Sequence, residues 1–403
     1  MASGSVLQKN SSAAYTDSKP HYELLDGLRG VAALLVLWYH VYEGFAFAGG
    51  TPVVGGLNHG YLAVDFFFML SGFVIGYAYD DRWKSHLTLG NFFKRRLIRL
   101  HPMVVLGALW GAVCFFLQGS TQWDGTHVSV PTVMIALLCA LFLIPVVPGA
   151  GWDVRGNSEA FPLNGPAWSL FFEYIGNLLY ALFIRRLSTK ALTWLVILLG
   201  IGLTAFAWLN VSGYGNIGVG WSMYDAGFGS GLLRMLFPFS MGILLSRRFK
   251  PGRIKGAFWI CSAILWALFL IPHIGSEGKI CLNGVYESFC IIVVFPVLVW
   301  AGASGHTTDP LSSRICKFLG DISFPLYIIH YPAMYLFYAW LIRQQLFTLA
   351  DTWPVAVGVC LGNILLAYVY LKVYDEPVRK WLAKKFIVSR KQHGEASHIP
   401  RSE

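Results

Sequence analysis

The chain has 403 residues, of which 56% are apolar and 13% charged, about half the charge of an ordinary soluble domain. Mean hydropathy is positive, and in water such a chain would expose larger apolar patches than soluble monomers carry, so composition excludes a soluble enzyme. The net charge of +10 sits in short bursts between apolar runs, which suits the inner loops of a membrane protein better than a nucleic-acid-binding face.

The first 20 residues are polar and small and are expected to form a disordered cytoplasmic tail, with no secretory signal. Membrane spans of about 20 apolar residues are then predicted near 28–47, 61–79, 102–118, 165–184, 190–209, 229–246, 256–272, 284–302, 321–342 and 353–375. Residues 21–382 form one membrane domain, and 383–403 a basic cytoplasmic tail. The expected fold class is an all-α polytopic membrane protein of about ten spans plus one re-entrant or interfacial helix, with both termini cytoplasmic.

The first span carries Arg29 at its start and His40 eleven residues on. Eleven residues make about three turns, so both side chains share a face, about 16 Å apart along the axis. One helix thus places a cation at the cytoplasmic side and an imidazole deep in the membrane. The second span carries Asp65, expected near the depth of His40, where a carboxylate would fix the imidazole tautomer or else simply cap the helix start. Lys94, Arg95, Arg96 and Arg99 form the densest basic motif. Arginine forks suit phosphate, but on spacing alone inner-leaflet anchoring is the better explanation of the cluster.

A further apolar run, 131–148, is bounded by Pro131, Pro145 and Pro148. If it crossed, every later loop would invert. Without it, only Arg155, Lys279, Arg343 and the intramembrane Arg234 of the 31 lysines and arginines fall outside the cytoplasmic side. It is therefore expected to be re-entrant or to lie on the outer face. The outer stretch 119–164 holds Trp123, Trp152, Asp153, Asn157, Glu159 and Asn164, either the mouth of a substrate site or an interfacial aromatic belt. Glu173 follows in the next span, and His330 lies mid-span with Pro325 and Pro332 on either side. Ionisable groups at such depth cost about 2.5–3.5 kcal/mol on insertion scales and face cavities or partners. His40, Asp65, Glu173 and His330 are therefore the candidate catalytic residues. The seven cysteines form no C-x-x-C pair and are expected to pack rather than bind metal. No Walker A loop, G-x-S-x-G elbow or H-E-x-x-H is present.

Six motifs in order, LLDGLRGVAALLVLWYH, GYLAVDFFFMLSGFVI, FFKRRLIRLHP, NGPAWSLFFEY, ISFPLYIIHYP and YDEPVRKWL, resemble those of the acyltransferase-3 family of integral membrane acyltransferases. The resemblance runs from about Tyr22 to about Trp381. His101 departs mildly from it, standing where an aromatic is common. The resemblance implies ten spans and transfer of an acyl group, acetyl by default, from cytoplasmic acyl-CoA to a hydroxyl at the outer face. Acyl-CoA would be a co-substrate, with no permanently bound cofactor. The acceptor would be a glycan, a glycolipid or a small hydroxyl compound, at the plasma membrane, or the inner membrane of a Gram-negative host. Arg29, Arg95, Arg96 and Arg99 would hold the donor's phosphates, and His40 would act as general base or carry the acyl group, oriented by Asp65 or Glu173. The rival reading is a transporter or flippase using the same buried charges as a relay, distinguished by its indifference to acyl-CoA.

Overall fold

The computed structural model of the protein describes residues 22–50, 57–85, 87–224, 227–275, 278–307 and 309–388. The expected tail 1–20 lies outside the described residues, as does the expected C-terminal tail beyond 388. The helices are α1 (Glu23–Ala48), α2 (Ala63–Tyr79), α3 (Leu89–Gln118), α4 (Val130–Leu141), α5 (Ala167–Leu182), α6 (Thr189–Trp208), α7 (Gly227–Arg248) and α8 (Ala257–Phe269). α9 (Leu282–Phe289) continues through a π turn into α10 (Phe295–Ser304). α11 (Pro310–Gln344) and α12 (Leu349–Tyr370) follow, and a second π turn, Leu371–Asp375, leads into α13 (Glu376–Ala383). Among the described residues the only strands are Ile254–Lys255 and Gly305–His306, a parallel two-residue pair. The chain is an all-α polytopic membrane protein: among the described residues, 8 helices are long and apolar enough to cross a bilayer. α11, at 35 residues, is not among them.

Each predicted apolar run is helical, but two helices start well before their runs. α3 begins at Leu89 rather than 102 because the Thr88 hydroxyl caps the Asn91 N–H at 3.2 Å, and Pro102 is accommodated inside it. The basic cluster 94–99 therefore rides on the same rigid helix as the span. α11 begins at Pro310, with Asp309 capping Ser312 at 2.7 Å.

α1 and α11 run parallel in close contact, Gly27 against Cys316 and Gly44 against Tyr338. At Gly30 any side chain would strike the Leu319 backbone, and Gly320 lies against Asp26. In a bilayer, helices associate through this kind of close backbone approach, since lipid supplies no hydrophobic drive between them. α2 and α7 pair the same way, with Gly72 on the Phe239 backbone and Gly242 on that of Met69. Ion pairs fix the two ends of that contact, Asp65–Arg234 and Asp80–Arg247, each at 2.6 Å.

α4 turns back along α3. Its approach is set by Val128, which bonds the Ser120 carbonyl at 2.8 Å. Its last residue, Leu141, offers its carbonyl to His101, about 25 Å along α3 from Gln118. The chain then climbs back, with Val146 bonding Ala160 and Ala160 bonding Trp221 at 2.8 Å. A 12-residue helix spans about 18 Å, too short for a 30 Å hydrocarbon core. α4 covers the first part of the run 131–148, for which a re-entrant or outer-face helix is expected.

Candidate active site

α1 and α11 together build the centre. His40 and Glu43 stand one turn apart on α1, where i,i+3 side chains meet. His40 Nδ1 is 2.6 Å from Glu43 Oε2. A carboxylate only accepts, so Nδ1 carries the proton of this contact. The same carboxylate oxygen accepts the hydroxyls of Tyr331 and Tyr338, both at 3.0 Å. Tyr39 reaches the other oxygen at 3.4 Å. Tyr338 also shares its hydroxyl with the His40 carbonyl at 2.7 Å, which ties the α1 backbone to α11. Four donors on one carboxylate offset the desolvation of a charge at this depth.

His330 is fully buried beside this pair, its ring 5.2 Å from that of His40. Its Nδ1 lies against the Tyr327 and Leu326 carbonyls at 2.9 and 3.1 Å, so it too carries its proton on Nδ1. Nε2 of His330 is buried without a partner among the described residues. Two imidazoles thus sit side by side, each with its Nδ1 proton held by an acceptor of the chain. The flanking prolines act as their sequence implies: Pro332 has no N–H for the Ile328 carbonyl, which instead accepts Asn164 Nδ2 at 2.9 Å.

Two expected partners of His40 are elsewhere. Asp65 is bound in two-point fashion by Arg234, at 2.6 and 3.2 Å, with both side chains buried, and Arg234 also bonds the Val219 carbonyl at 2.7 Å. Its acidity is consumed in joining α2 to α7. Glu173 accepts Arg96 Nη2 and Ser71 Oγ, both at 2.7 Å, and so belongs to the basic cluster. The carboxylate that orients His40 is Glu43. It lies in the same VLWYHVYEGF segment as His40, and the i,i+3 spacing was the available signal.

At the other end of the shared face, Arg29 donates from Nε to Ser323 Oγ and from Nη2 to Asp26, each at 2.9 Å. Arg99, Glu173 and Arg379 lie within electrostatic reach of it. α1 and α3 therefore bring Arg29, Arg96 and Arg99 to one end of the helix bundle, with Arg95 beside them on α3. The helix geometry keeps this cluster about 16 Å from His40.

The outer stretch 119–166 covers the opposite end. Arg155 is buried, with its guanidinium 3.4 Å from the centre of the Tyr335 ring and 5.1 Å from that of Trp123. It bonds the Pro162 carbonyl at 2.6 Å and Gln118 at 2.8 Å. Glu159 accepts Tyr335 OH, and Asn157 Nδ2 at 2.8 Å. Burial pushes the Glu159 carboxyl up to about 7 even though Arg155 opposes the shift. Tyr335 packs 4.6 Å from the Tyr331 ring, so this cap rests directly on the tyrosines that hold Glu43. Asp153 binds the N–H groups of Arg155, Gly156 and Ser158 and shapes the loop.

Comparison with known proteins gives the family. Residues 22–372 match the family described as an acyltransferase domain. The chain is 38% identical over 174 residues to Protein 2 in picA locus of Rhizobium radiobacter, covering 41% of this chain and 84% of that one. It is 27% identical over 331 residues to Acyltransferase MdmB of Streptomyces mycarofaciens, covering 76% and 77%. It is 24% identical over 395 residues to O-acetyltransferase OatA of Staphylococcus aureus, covering 92% of this chain but 59% of that protein. No solved structure matches. The family match runs from the residue preceding α1 into the π turn that follows α12, and the chain belongs to the acyltransferase-3 family of membrane acyltransferases.

Proposed function

We propose that this protein is a plasma-membrane O-acyltransferase, in the inner membrane if its host is Gram-negative. It moves an acetyl group from cytoplasmic acetyl-CoA to a hydroxyl of an outer-face glycan or glycolipid. The observation that carries this reading is the His40–Glu43 pair at 2.6 Å, on the same helix face as Arg29. Arg29, Arg95, Arg96 and Arg99 hold the donor's phosphates as bidentate forks at the inner mouth. The long, largely uncharged pantetheine arm bridges from there to the imidazole.

In direct transfer, Nε2 of His40 takes the proton of the acceptor hydroxyl as its oxygen attacks the thioester carbonyl. The C–S bond breaks, and the leaving thiolate takes the proton back from the imidazolium. Glu43 stabilises that transient cation and holds the ring in the productive tautomer. Nε2 of His330, 5.2 Å away ring to ring, offers a second acceptor that aligns the incoming hydroxyl. A route through an acyl-imidazole on His40 uses the same Nε2 and needs the same carboxylate. Names of relatives support the acyl chemistry: MdmB is described as an acyltransferase and OatA as an O-acetyltransferase.

The test is purified protein in nanodiscs with a glycolipid extract, reading free thiol released from acetyl-CoA. Wild type should release thiol with acceptor present, and His40→Ala should not. Equal release by both, with both folded, overturns the reading, and transport with no acyl-CoA requirement would place the protein in the rival class.

A further inference from the structure

One sequence motif, YDEPVRKWL, takes no part in the chemistry above, yet it sits at the donor's end of the molecule. After α12 the helix does not stop but passes through the π turn Leu371–Asp375 into α13. α13 packs on α3, the helix that carries Arg96 and Arg99. The π turn brings Asp375 inward: it is buried, although the helix around it is largely exposed. π turns are rare and occur often at functional sites. Asp375 Oδ2 pairs with Arg379 Nη2 at 2.5 Å, one turn further along. Arg99 lies within electrostatic reach of Asp375, and Arg379 within reach of Arg29.

The inner mouth therefore gathers guanidinium groups from three helices that are distant in sequence, Arg29 on α1, Arg96 and Arg99 on α3, and Arg379 on α13. Three of the four are held by a carboxylate of the chain itself: Asp26 for Arg29, Glu173 for Arg96 and Asp375 for Arg379. Like charges are costly to assemble at the edge of a low-dielectric region. Such an assembly suits a polyanion whose phosphates take over contacts that the internal carboxylates supply in its absence. Arg379 keeps about a quarter of its side chain exposed, and Asp375 is almost fully enclosed. The arginine is the partner positioned to meet a ligand, and the aspartate the one that holds it ready.

We propose that Arg379, positioned by Asp375, is a phosphate-binding residue of this site, so that the C-terminal helix closes the inner mouth over the nucleotide end of the donor. The proposal rests on the acyl-CoA reading above and extends it to a residue outside Arg29, Arg95, Arg96 and Arg99. A phosphate at this depth has two possible sources, the coenzyme or an anionic lipid headgroup, and the test separates them.

The experiment measures equilibrium binding of CoA and of pantetheine, which lacks the phosphates, to the full chain in nanodiscs of zwitterionic or of anionic lipid. Variants are Arg379→Gln, Arg379→Lys and the double variant Asp375→Asn with Arg379→Gln, which avoids an unpaired buried carboxylate. Loss of one charge-assisted contact should weaken CoA binding about tenfold in both lipids and in both Gln variants. Pantetheine binding should be unchanged, and Arg379→Lys should restore part of the loss. Unchanged CoA affinity, or an equal loss for pantetheine, overturns the proposal, the second outcome marking a purely structural role. An effect confined to anionic nanodiscs overturns it in favour of a headgroup. If wild type binds no CoA, the donor reading itself falls; if wild type binds CoA and the Arg379 variants match it, only the role of Arg379 falls.

Discussion

Nδ1 of His40 lies 2.6 Å from Oε2 of Glu43, one helical turn away on α1. That carboxylate is also the point on which Tyr331 and Tyr338 of α11 converge. Replacing Glu43 with Gln puts a group that can both donate and accept where only an acceptor stood, and admits the wrong imidazole tautomer. Glu43→Gln should lower kcat by about 10²–10⁴-fold and leave the KM for acetyl-CoA close to wild type. Thiol-release kinetics measure both constants. A variant with near-normal kcat would remove Glu43 from the mechanism.

Asp65 and Arg234 should behave as a structural pair. Both are buried, and removing one strands the other's charge. Arg234→Met should cost about 3–5 kcal/mol, while Asp65→Leu combined with Arg234→Met should recover most of the loss. Thermal unfolding in detergent, followed by the tryptophan signal, reads the difference. If the single substitution leaves the melting temperature unmoved, the ion pair does not join α2 to α7 as described.

The contrast between these two carboxylates marks how far the sequence could be read. Apolar runs and the ionisable groups inside them are legible, because the bilayer demands long apolar runs, and so the helical, polytopic character of the chain stands out. Which groups meet is not legible. Asp65 and Arg234 lie 169 residues apart and meet because Gly72 and Gly242 let two helices touch. Glu43 was legible in principle, three residues from His40, but its significance comes from tyrosines of α11 that only packing supplies. The early starts of α3 and α11 escaped a search for apolar runs because their first turns are polar and are held by the Thr88 and Asp309 caps.

The α1–α11 crossing gives a steric prediction. Gly30 has the Leu319 backbone where a side chain would go. Gly30→Val should force the helices apart, cost about 1–3 kcal/mol, and disturb both the Arg29–Ser323 contact and the pairing of His40 with His330. Gly362 of α12, with open space around it and ordinary helical backbone, is the control position. Monodispersity on size exclusion and the melting temperature report the effect, and equal behaviour of the two variants would contradict the close crossing.

Glu159 predicts a pH dependence. Burial raises its folded value to about 7 from 4.5. A raised carboxyl binds its proton more tightly in the folded protein than in the unfolded one. Its favourable contribution is therefore complete below about 4.5 and fades as pH rises to about 7. The melting temperature of wild type should fall across that window more steeply than that of Glu159→Gln. Parallel pH profiles would mean that Glu159 ionises as an ordinary surface acid.

Sealed inside-out vesicles, whose cytoplasmic face is outward, can be supplied with acetyl-CoA labelled on the acetyl group, using wild type, His40→Ala and Glu43→Gln. The proposed mechanism predicts label in a glycan or glycolipid fraction inside the wild-type vesicles, none with His40→Ala and a small fraction of the wild-type rate with Glu43→Gln. Equal labelling by wild type and His40→Ala, with both proteins folded and present in equal amount, would contradict it.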